Sequence, residues 1–126
     1  MFLYNKKLQY PVKIDKPNPR LAQVIISQYG GPDGELGASL RYLSQRYSMP
    51  FDEQKGLLTD IGTEELGHLE MIGAIVHQLT RNLNDSQIKD SAFAPYFVDH
   101  TVGVYPTAAS GAPWNAFSMQ VKGDPM

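Results

Sequence analysis

The stretch Thr63-Glu64-Glu65-Leu66-Gly67-His68-Leu69-Glu70 lies in a helix-patterned run from about Phe51 to Arg81. Apolar residues of this run recur with helical spacing at Ile61, Ile72, Ile75 or Val76, and Leu79. When this stripe is continued through the middle of the run, it passes through Glu65 and His68. Because an unpaired charge is costly to bury, ionisable groups at such core positions need a partner or a metal.

The spacing of Glu65 and His68 is that of a helical ligand pair. Glu-x-x-His places the two side chains one turn apart on the same side of a helix, close enough to hold one ion. The same spacing is more often found in a pair that faces solvent. The position of both residues on the apolar stripe favours the metal site.

The preceding residues predict a helix that carries a third ligand. Asn18-Pro19 is a helix-start signal, and helix pattern follows from Arg20 to Tyr29. Gly30-Gly31-Pro32 interrupts this helix, and the pattern resumes from Asp33 to about Tyr47, with an apolar row at Leu36, Leu40, Leu43 and Tyr47. The connection to the next helix, Ser48 to Asp52, is short and predicts antiparallel neighbours. Glu35 can therefore face Glu65 and His68 across a hairpin.

Glycines are placed unusually in both helices. Gly34 and Gly37 flank Glu35, and Gly62, Gly67 and Gly73 lie inside the second helix. Each glycine inside a helix costs about 1 kcal/mol relative to alanine. Room for a ligand and close helix packing are the two gains that would offset this cost.

The remaining ionisable groups are given ordinary interpretations. His77 is expected to face away from the stripe, and His100 is expected at a surface or interface. Glu64 and Glu70 flank the stripe, and we expect both to be solvated.

Bulk composition bounds the function. The 126 residues are enough for one domain, with 42% hydrophobic and 19% charged residues. The net charge of -2 gives no sign of nucleic-acid binding, and no apolar run approaches the roughly 20 residues of a membrane span. The first residues lack the apolar run of a secretory signal, so we expect the chain not to be secreted. With no cysteine, a metal site must use oxygen and nitrogen ligands, which favours manganese, iron or zinc.

Three segments are predicted. Residues 1–17 form an arm that covers a partner subunit or the end of a bundle. Residues 18–83 form the helical hairpin with half of a di-metal site. Residues 84–126 form a loop rich in aromatic residues, proline and glycine, and its final Asp124-Pro125 is typical of a helix start. A third helix is expected to begin at this point, where the given sequence stops, and the alternative is that the pair belongs to a disordered terminus.

These motifs resemble the manganese-containing catalase family. The resemblance covers essentially the whole chain, and its N-terminal arm is most similar to the spore-coat branch. The segments that carry it are Lys6–Val12, Gly30–Leu36, Tyr42-Leu43, Asp60–Met71 and Gln120–Pro125.

The resemblance implies an all-α, ferritin-like four-helix bundle, of which this chain supplies the N-terminal hairpin. It implies two manganese ions that dismutate hydrogen peroxide to water and oxygen. Glu35 matches a terminal carboxylate ligand, and His68 matches an imidazole ligand. Glu65 matches the bridging carboxylate and is the expected catalytic residue, while Tyr42 matches an outer tyrosine that hydrogen-bonds the first-helix ligand.

The sequence departs from this family in its extent. Members supply a further Glu and His downstream of the Gly-Asp-Pro segment, and this sequence ends before both. We therefore consider three hypotheses. The chain is the N-terminal part of a manganese catalase, truncated after the first half of the bundle; or two copies pair into a ferritin-like site that favours iron; or the chain is a structural spore-coat protein with an incomplete site.

The hairpin is not expected to be a stable monomer, because it cannot cover its own apolar stripe. We expect a homo-oligomer, with other spore-coat proteins as further partners and no nucleic acid or membrane. The expected location is the cytoplasm or the spore coat.

Overall fold

The computed structural model describes residues 3–30 and 33–91. Four α-helices follow in chain order: α1 (Pro19–Gly30), α2 (Glu35–Gln45), α3 (Asp52–Thr80) and α4 (Asp85–Lys89). A 3-10 turn, Arg46–Ser48, follows α2 directly. Within the described ranges there is no strand, and the all-α prediction is confirmed.

The predicted start of α1 is confirmed. Asn18 accepts a hydrogen bond from the backbone N–H of Leu21 on its Oδ1, at 3.1 Å. This contact satisfies one of the backbone donors that a helix start leaves free. Pro19 follows as the first helical residue.

The predicted apolar row on α2 was wrong at two of its four positions, Leu40 and Tyr47. The α-helix ends at Gln45, and both Leu40 and Tyr47 are exposed. Arg46 begins the tighter 3-10 turn, and its guanidinium lies 5.1 Å from the centre of the Tyr47 ring. Tyr47 therefore covers a cation at the surface and does not continue the apolar row.

The long helix α3 organises the described part of the chain. Both α1 and α2 pack against it. Among the described residues, the fully buried apolar side chains are Ala22 of α1 and Leu79 of α3. Five partly buried residues surround this pair: Ile14, Ile25, Ile26, Ile75 and Val76. The apolar core thus lies near the C-terminal end of α3, and the ionisable stretch lies closer to its middle.

The N-terminal arm lies along α3 of its own chain. The side-chain amide of Gln78 accepts a hydrogen bond from the backbone N–H of Ile14 at 2.8 Å and donates one to the carbonyl of Val12 at 2.9 Å. Arg81 donates to the carbonyl of Ile14 at 2.7 Å, and the N–H of Asn18 donates to the carbonyl of Leu79 at 2.8 Å. Gln78 of α3 and Arg81, which follows it, thus bind three backbone groups of the arm at Val12 and Ile14 and hold this part of the arm against the helix.

Helix α4 begins inside the segment predicted as a loop. Asn84 and Gln87 form a reciprocal cap, in which the side chain of each accepts a hydrogen bond from the backbone N–H of the other at 2.9 Å. This capping box explains how a segment of only five residues, four of them polar, forms a helical turn. The predictions for residues 92–126, including His100 and Asp124-Pro125, lie outside the described residues. The described helices include none that combines the length and the apolar character of a membrane span.

Candidate metal centre

Helix α3 places Glu65 and His68 one turn apart. His68 Nδ1 and Glu65 Oε2 are hydrogen-bonded at 2.7 Å. The side chain of Glu65 is only 13% exposed, and that of His68 is 33% exposed. The prediction that the pair lies on the inner side of the helix agrees with these values.

Helix α2 supplies Glu35 at its first residue. Gly34 precedes it, and a Cβ at Gly34 would lie 2.8 Å from the carbonyl oxygen of Ser27 and 2.9 Å from that of Gln28. The start of α2 is thus pressed against the end of α1, which only glycine permits. This contact fixes where Glu35 emerges, with Oε2 3.8 Å from His68 Nδ1.

The approach of α2 to α3 is set by Gly62. A Cβ at Gly62 would lie 2.8 Å from Leu43 Cγ and 3.2 Å from Tyr42 Cβ. Beside it, the buried hydroxyl of Ser39 donates to the carbonyl of Gly62 at 2.7 Å. At this glycine, close helix packing is the gain that offsets the helical cost. The short interhelical distance lets side chains from α2 and α3 meet.

The three predicted ligands converge in one cluster. Glu35, Glu65 and His68 each offer one donor atom, and these atoms all lie within 4.8 Å of one another. Two carboxylates and one imidazole are ligands that suit manganese, iron or zinc. The donor set therefore fits a divalent metal.

The electrostatics of the cluster favour a cation. Partial burial raises the pKa of Glu35, and the neighbouring Glu65 raises it further through hydrogen bonding and through its own negative charge. The charge of His68 lowers the pKa of Glu35 and offsets part of this increase. A carboxyl group in such surroundings holds its proton more tightly than one in water. A metal ion would replace that proton and neutralise the facing carboxylates.

The outer residues agree less well with prediction. Tyr42 is half-buried beside Gly62, and within residues 3–30 and 33–91 no hydrogen bond joins its hydroxyl to Glu35. Its role as an outer tyrosine stays a prediction. His77 is exposed, as predicted.

Glu64 and Glu70 are engaged by the arm. Gln9 Nε2 donates to Glu64 Oε1 at 2.6 Å, and the hydroxyl of Tyr4 donates to Glu70 Oε1. Glu64 is exposed, as expected of a solvated side chain, whereas Glu70 is partly buried, and the contacts of both carboxylates with the arm were not expected. No helical or strand period links residues 55 or 66 positions apart, so local patterns in the sequence carry no signal for these contacts.

Comparisons with known proteins were consistent with this geometry. The family model described as manganese containing catalase matches residues 1–126. Protein CotJC of Bacillus subtilis is 50% identical over 126 residues, which cover 100% of this chain and 66% of that protein. The probable manganese catalase of Clostridium acetobutylicum is 32% identical over 126 residues, which cover 98% of this chain and 56% of that protein.

A solved structure shows the same fold. The crystal structure of KatB, a manganese catalase from Anabaena, matches with a TM-score of 0.79 and 34% identity, over 98% of this chain and 55% of that one. This similarity confirms the predicted ferritin-like fold. The chain spans between 55% and 66% of the length of these three proteins.

Proposed function

Because the chain belongs to the family of manganese-containing catalases, we propose that Glu35, Glu65 and His68 bind manganese and that the chain takes part in the dismutation of hydrogen peroxide. The observation that carries this proposal is the convergence of three donor atoms within 4.8 Å on two closely packed helices. Isolated Glu-x-x-His pairs are common, but a second helix rarely brings a carboxylate to the same point by chance. The metal we propose is manganese, since the family model and the relatives described above other than CotJC are named for it.

The three residues have different roles in this proposal. Glu65 is central, because it is hydrogen-bonded to His68 and its carboxylate lies within 4.8 Å of that of Glu35. A carboxylate in this position can be shared between two ions, and we propose it as the bridging, catalytic ligand. Glu35 and His68 are then terminal ligands on either side of it.

The chemistry depends on bound metal. Manganese, when bound, supplies the two-electron redox change that dismutation of peroxide needs. The protein contributes position: the partly buried carboxylates hold negative charge at a fixed point, and the close packing at Gly62 keeps α2 and α3 together. Partial burial also strengthens the attraction between these carboxylates and a cation.

The site has two candidate forms, one within a single chain and one shared by two copies, and they differ in the number of ions bound per chain. Three protein groups leave part of the coordination of two ions to other donors. Two copies related by a two-fold axis would bring four carboxylates and two imidazoles together. That arrangement would resemble an iron-oxidising ferritin-like centre, and we propose a homo-oligomer in either case.

Metal analysis of the purified chain tests the proposal. After incubation with Mn²⁺ or Fe²⁺ and removal of excess ion, elemental analysis gives the metal bound per chain, and an oxygen electrode gives the activity with peroxide. We expect bound manganese in the wild type and its loss in Glu65→Ala. The control is Asp60→Asn, which removes an exposed carboxylate five residues before Glu65 on the same helix. Equal metal content in wild type and Glu65→Ala would contradict the site.

A structural role in the spore coat is the alternative. The 50% identity to CotJC favours it, because the match exceeds the 32% found for the catalase of Clostridium acetobutylicum. The arm also resembles the spore-coat branch. A wild-type chain that binds no metal, shows no activity with peroxide and assembles into large particles would support this alternative.

A further inference from the structure

The imidazole of His68 lies between carboxylates on both sides. Its Nδ1 faces Glu65 Oε2 at 2.7 Å and Glu35 Oε2 at 3.8 Å. Its Nε2 faces Glu64 Oε1, also at 3.8 Å. Nδ1 is therefore the nitrogen that points into the cluster, and Nε2 points out of it toward Glu64.

The N-terminal arm holds Glu64 in this position. Gln9 Nε2 donates to the same Oε1 atom that faces His68, at 2.6 Å. The Gln9 side chain lies over Gly67, where an added Cβ would come within 3.4 Å of its Oε1. Glu64 is 48% exposed, so packing alone does not hold it. A chain of polar contacts thus leads from the arm through Glu64 to His68.

Building on the proposed metal site, we propose that Glu64 is a positioning residue for His68 and that Gln9 of the arm holds Glu64 in place. A histidine that binds a metal usually donates its other ring N–H to a carboxylate or carbonyl, which fixes the ring orientation and increases ligand basicity. With a metal on Nδ1, the remaining ring hydrogen is on Nε2, which faces Glu64. An approach of roughly 0.9 Å turns the 3.8 Å contact into an ordinary hydrogen bond of about 2.9 Å.

This arrangement makes the arm part of the metal site. Glu35 and Glu65 act on the inner nitrogen of His68, and Glu64 acts on the outer one. Since Gln9 is the residue that ties Glu64 to the arm, a change at Gln9 reaches the metal through two side chains. The effect of Gln9 on metal binding should therefore be smaller than that of Glu64 and have the same direction.

Metal affinity and the state of the His68 ring test this proposal in the full chain. The variants are Glu64→Ala and Gln9→Ala, with Asp60→Asn as the control that removes one exposed negative charge from α3. Calorimetry with Mn²⁺ gives the affinity. Nitrogen-15 NMR of the chain loaded with Zn²⁺, a diamagnetic probe, reports the Nε2–H of His68 and its exchange with water. Circular dichroism confirms that each variant is folded.

We expect Glu64→Ala to lower Mn²⁺ affinity by about 10-fold or more, and Asp60→Asn by less than about twofold. The Nε2–H signal should exchange slowly in the wild type and rapidly in Glu64→Ala. If Glu64→Ala matches Asp60→Asn in affinity and keeps a slowly exchanging Nε2–H, the inference is overturned while the metal site stands. A wild type that binds neither Mn²⁺ nor Zn²⁺ overturns the proposed function and this inference with it.

Discussion

Gly62 of α3 lies against Leu43 of α2 so closely that a Cβ on the glycine would be 2.8 Å from Leu43 Cγ. Leu43 could turn aside, but the same Cβ would lie 3.2 Å from Tyr42 Cβ, which moves only with the backbone. Overpacking of this kind costs about 1–3 kcal/mol, and alanine gains about 1 kcal/mol of helix propensity over glycine. We expect Gly62→Ala to lower the free energy of unfolding by about 1 kcal/mol, measured by urea titration.

Gly56 is the matched control for this prediction. It lies in the same helix, and among residues 3–30 and 33–91 no heavy atom outside the local helix backbone lies within 4 Å of its added Cβ. Gly56→Ala should therefore stabilise the chain by about 0.5–1 kcal/mol. Stabilisation of the same size by both substitutions would mean that α2 and α3 are farther apart than described here. Because the proposed metal ligands lie on these two helices, Gly62→Ala should also weaken Mn²⁺ binding, and Gly56→Ala should not.

The hairpin and the cluster of Glu35, Glu65 and His68 could be predicted from the sequence because their signals are local. The apolar stripe of α3 has a gap filled by Glu65 and His68, and that gap is visible within three turns. Asn18-Pro19 marks a helix start through bonds that span three residues. Glu35 required only the further assumption that a short connection makes antiparallel neighbours.

The arm could not be placed from the sequence, because its contacts are long-range and use polar side chains. Gln78 is an ordinary helix residue by every local measure, yet both ends of its amide bind the arm's backbone. Gln9 and Glu64 are likewise 55 residues apart. Periodicity identifies apolar faces, and it carries no information about which polar residue on a helix receives an extended segment.

The amide of Gln78 makes a testable prediction about the arm. Gln78→Ala removes both of its hydrogen bonds to the arm, at Ile14 and Val12. Each such bond contributes about 1 kcal/mol, and the loss of both should make the arm detach more often by roughly 30-fold. Limited trypsin digestion followed by mass spectrometry should show faster cleavage after Lys13, within the arm.

Gln54→Ala is the control for the arm, since Gln54 is an exposed glutamine of the same helix. It should leave the cleavage rate after Lys13 at the wild-type value. If Gln78→Ala also left that rate unchanged, the arm would be held by contacts other than the amide. Neither variant should be cleaved after Lys13 more slowly than the wild type.

Glu35→Gln should change the pH dependence of the metal-free chain. The pKa of Glu35 is raised in the folded state by burial and by Glu65. An acid whose pKa is higher in the folded than in the unfolded chain makes its whole contribution to stability below the unfolded pKa, which is about 4.3 for glutamate. This contribution is lost as the pH rises toward the folded pKa, because the unfolded chain releases the proton first. Urea titration of the metal-free chain should show wild type losing stability relative to Glu35→Gln as the pH rises above the unfolded pKa of about 4.3.

Glu53→Gln gives a control of opposite sign for that experiment. Glu53 is exposed in the first turn of α3, where its negative charge interacts favourably with the positive end of the helix dipole. The free energy of unfolding of Glu53→Gln should be about 0.3–1 kcal/mol lower than that of the wild type at pH 7. If Glu35→Gln and Glu53→Gln were both more stable than the wild type at pH 7, removal of negative charge would have a general effect. That result would contradict the local cause at Glu35.

Metal binding should reverse the ranking of wild type and Glu35→Gln. The carboxylate that destabilises the metal-free chain is the one that we propose binds the ion, and it must lose its proton to do so. Loss of a ligand should lower Mn²⁺ affinity by more than about 100-fold, since even outer partners are worth about 10- to 100-fold. At pH 7 with excess Mn²⁺, thermal unfolding should therefore show wild type as the more stable of the two, and without metal as the less stable. A variant that stays ahead of wild type under both conditions would show that Glu35 does not bind the ion, because only binding to the folded state raises stability in proportion to free metal.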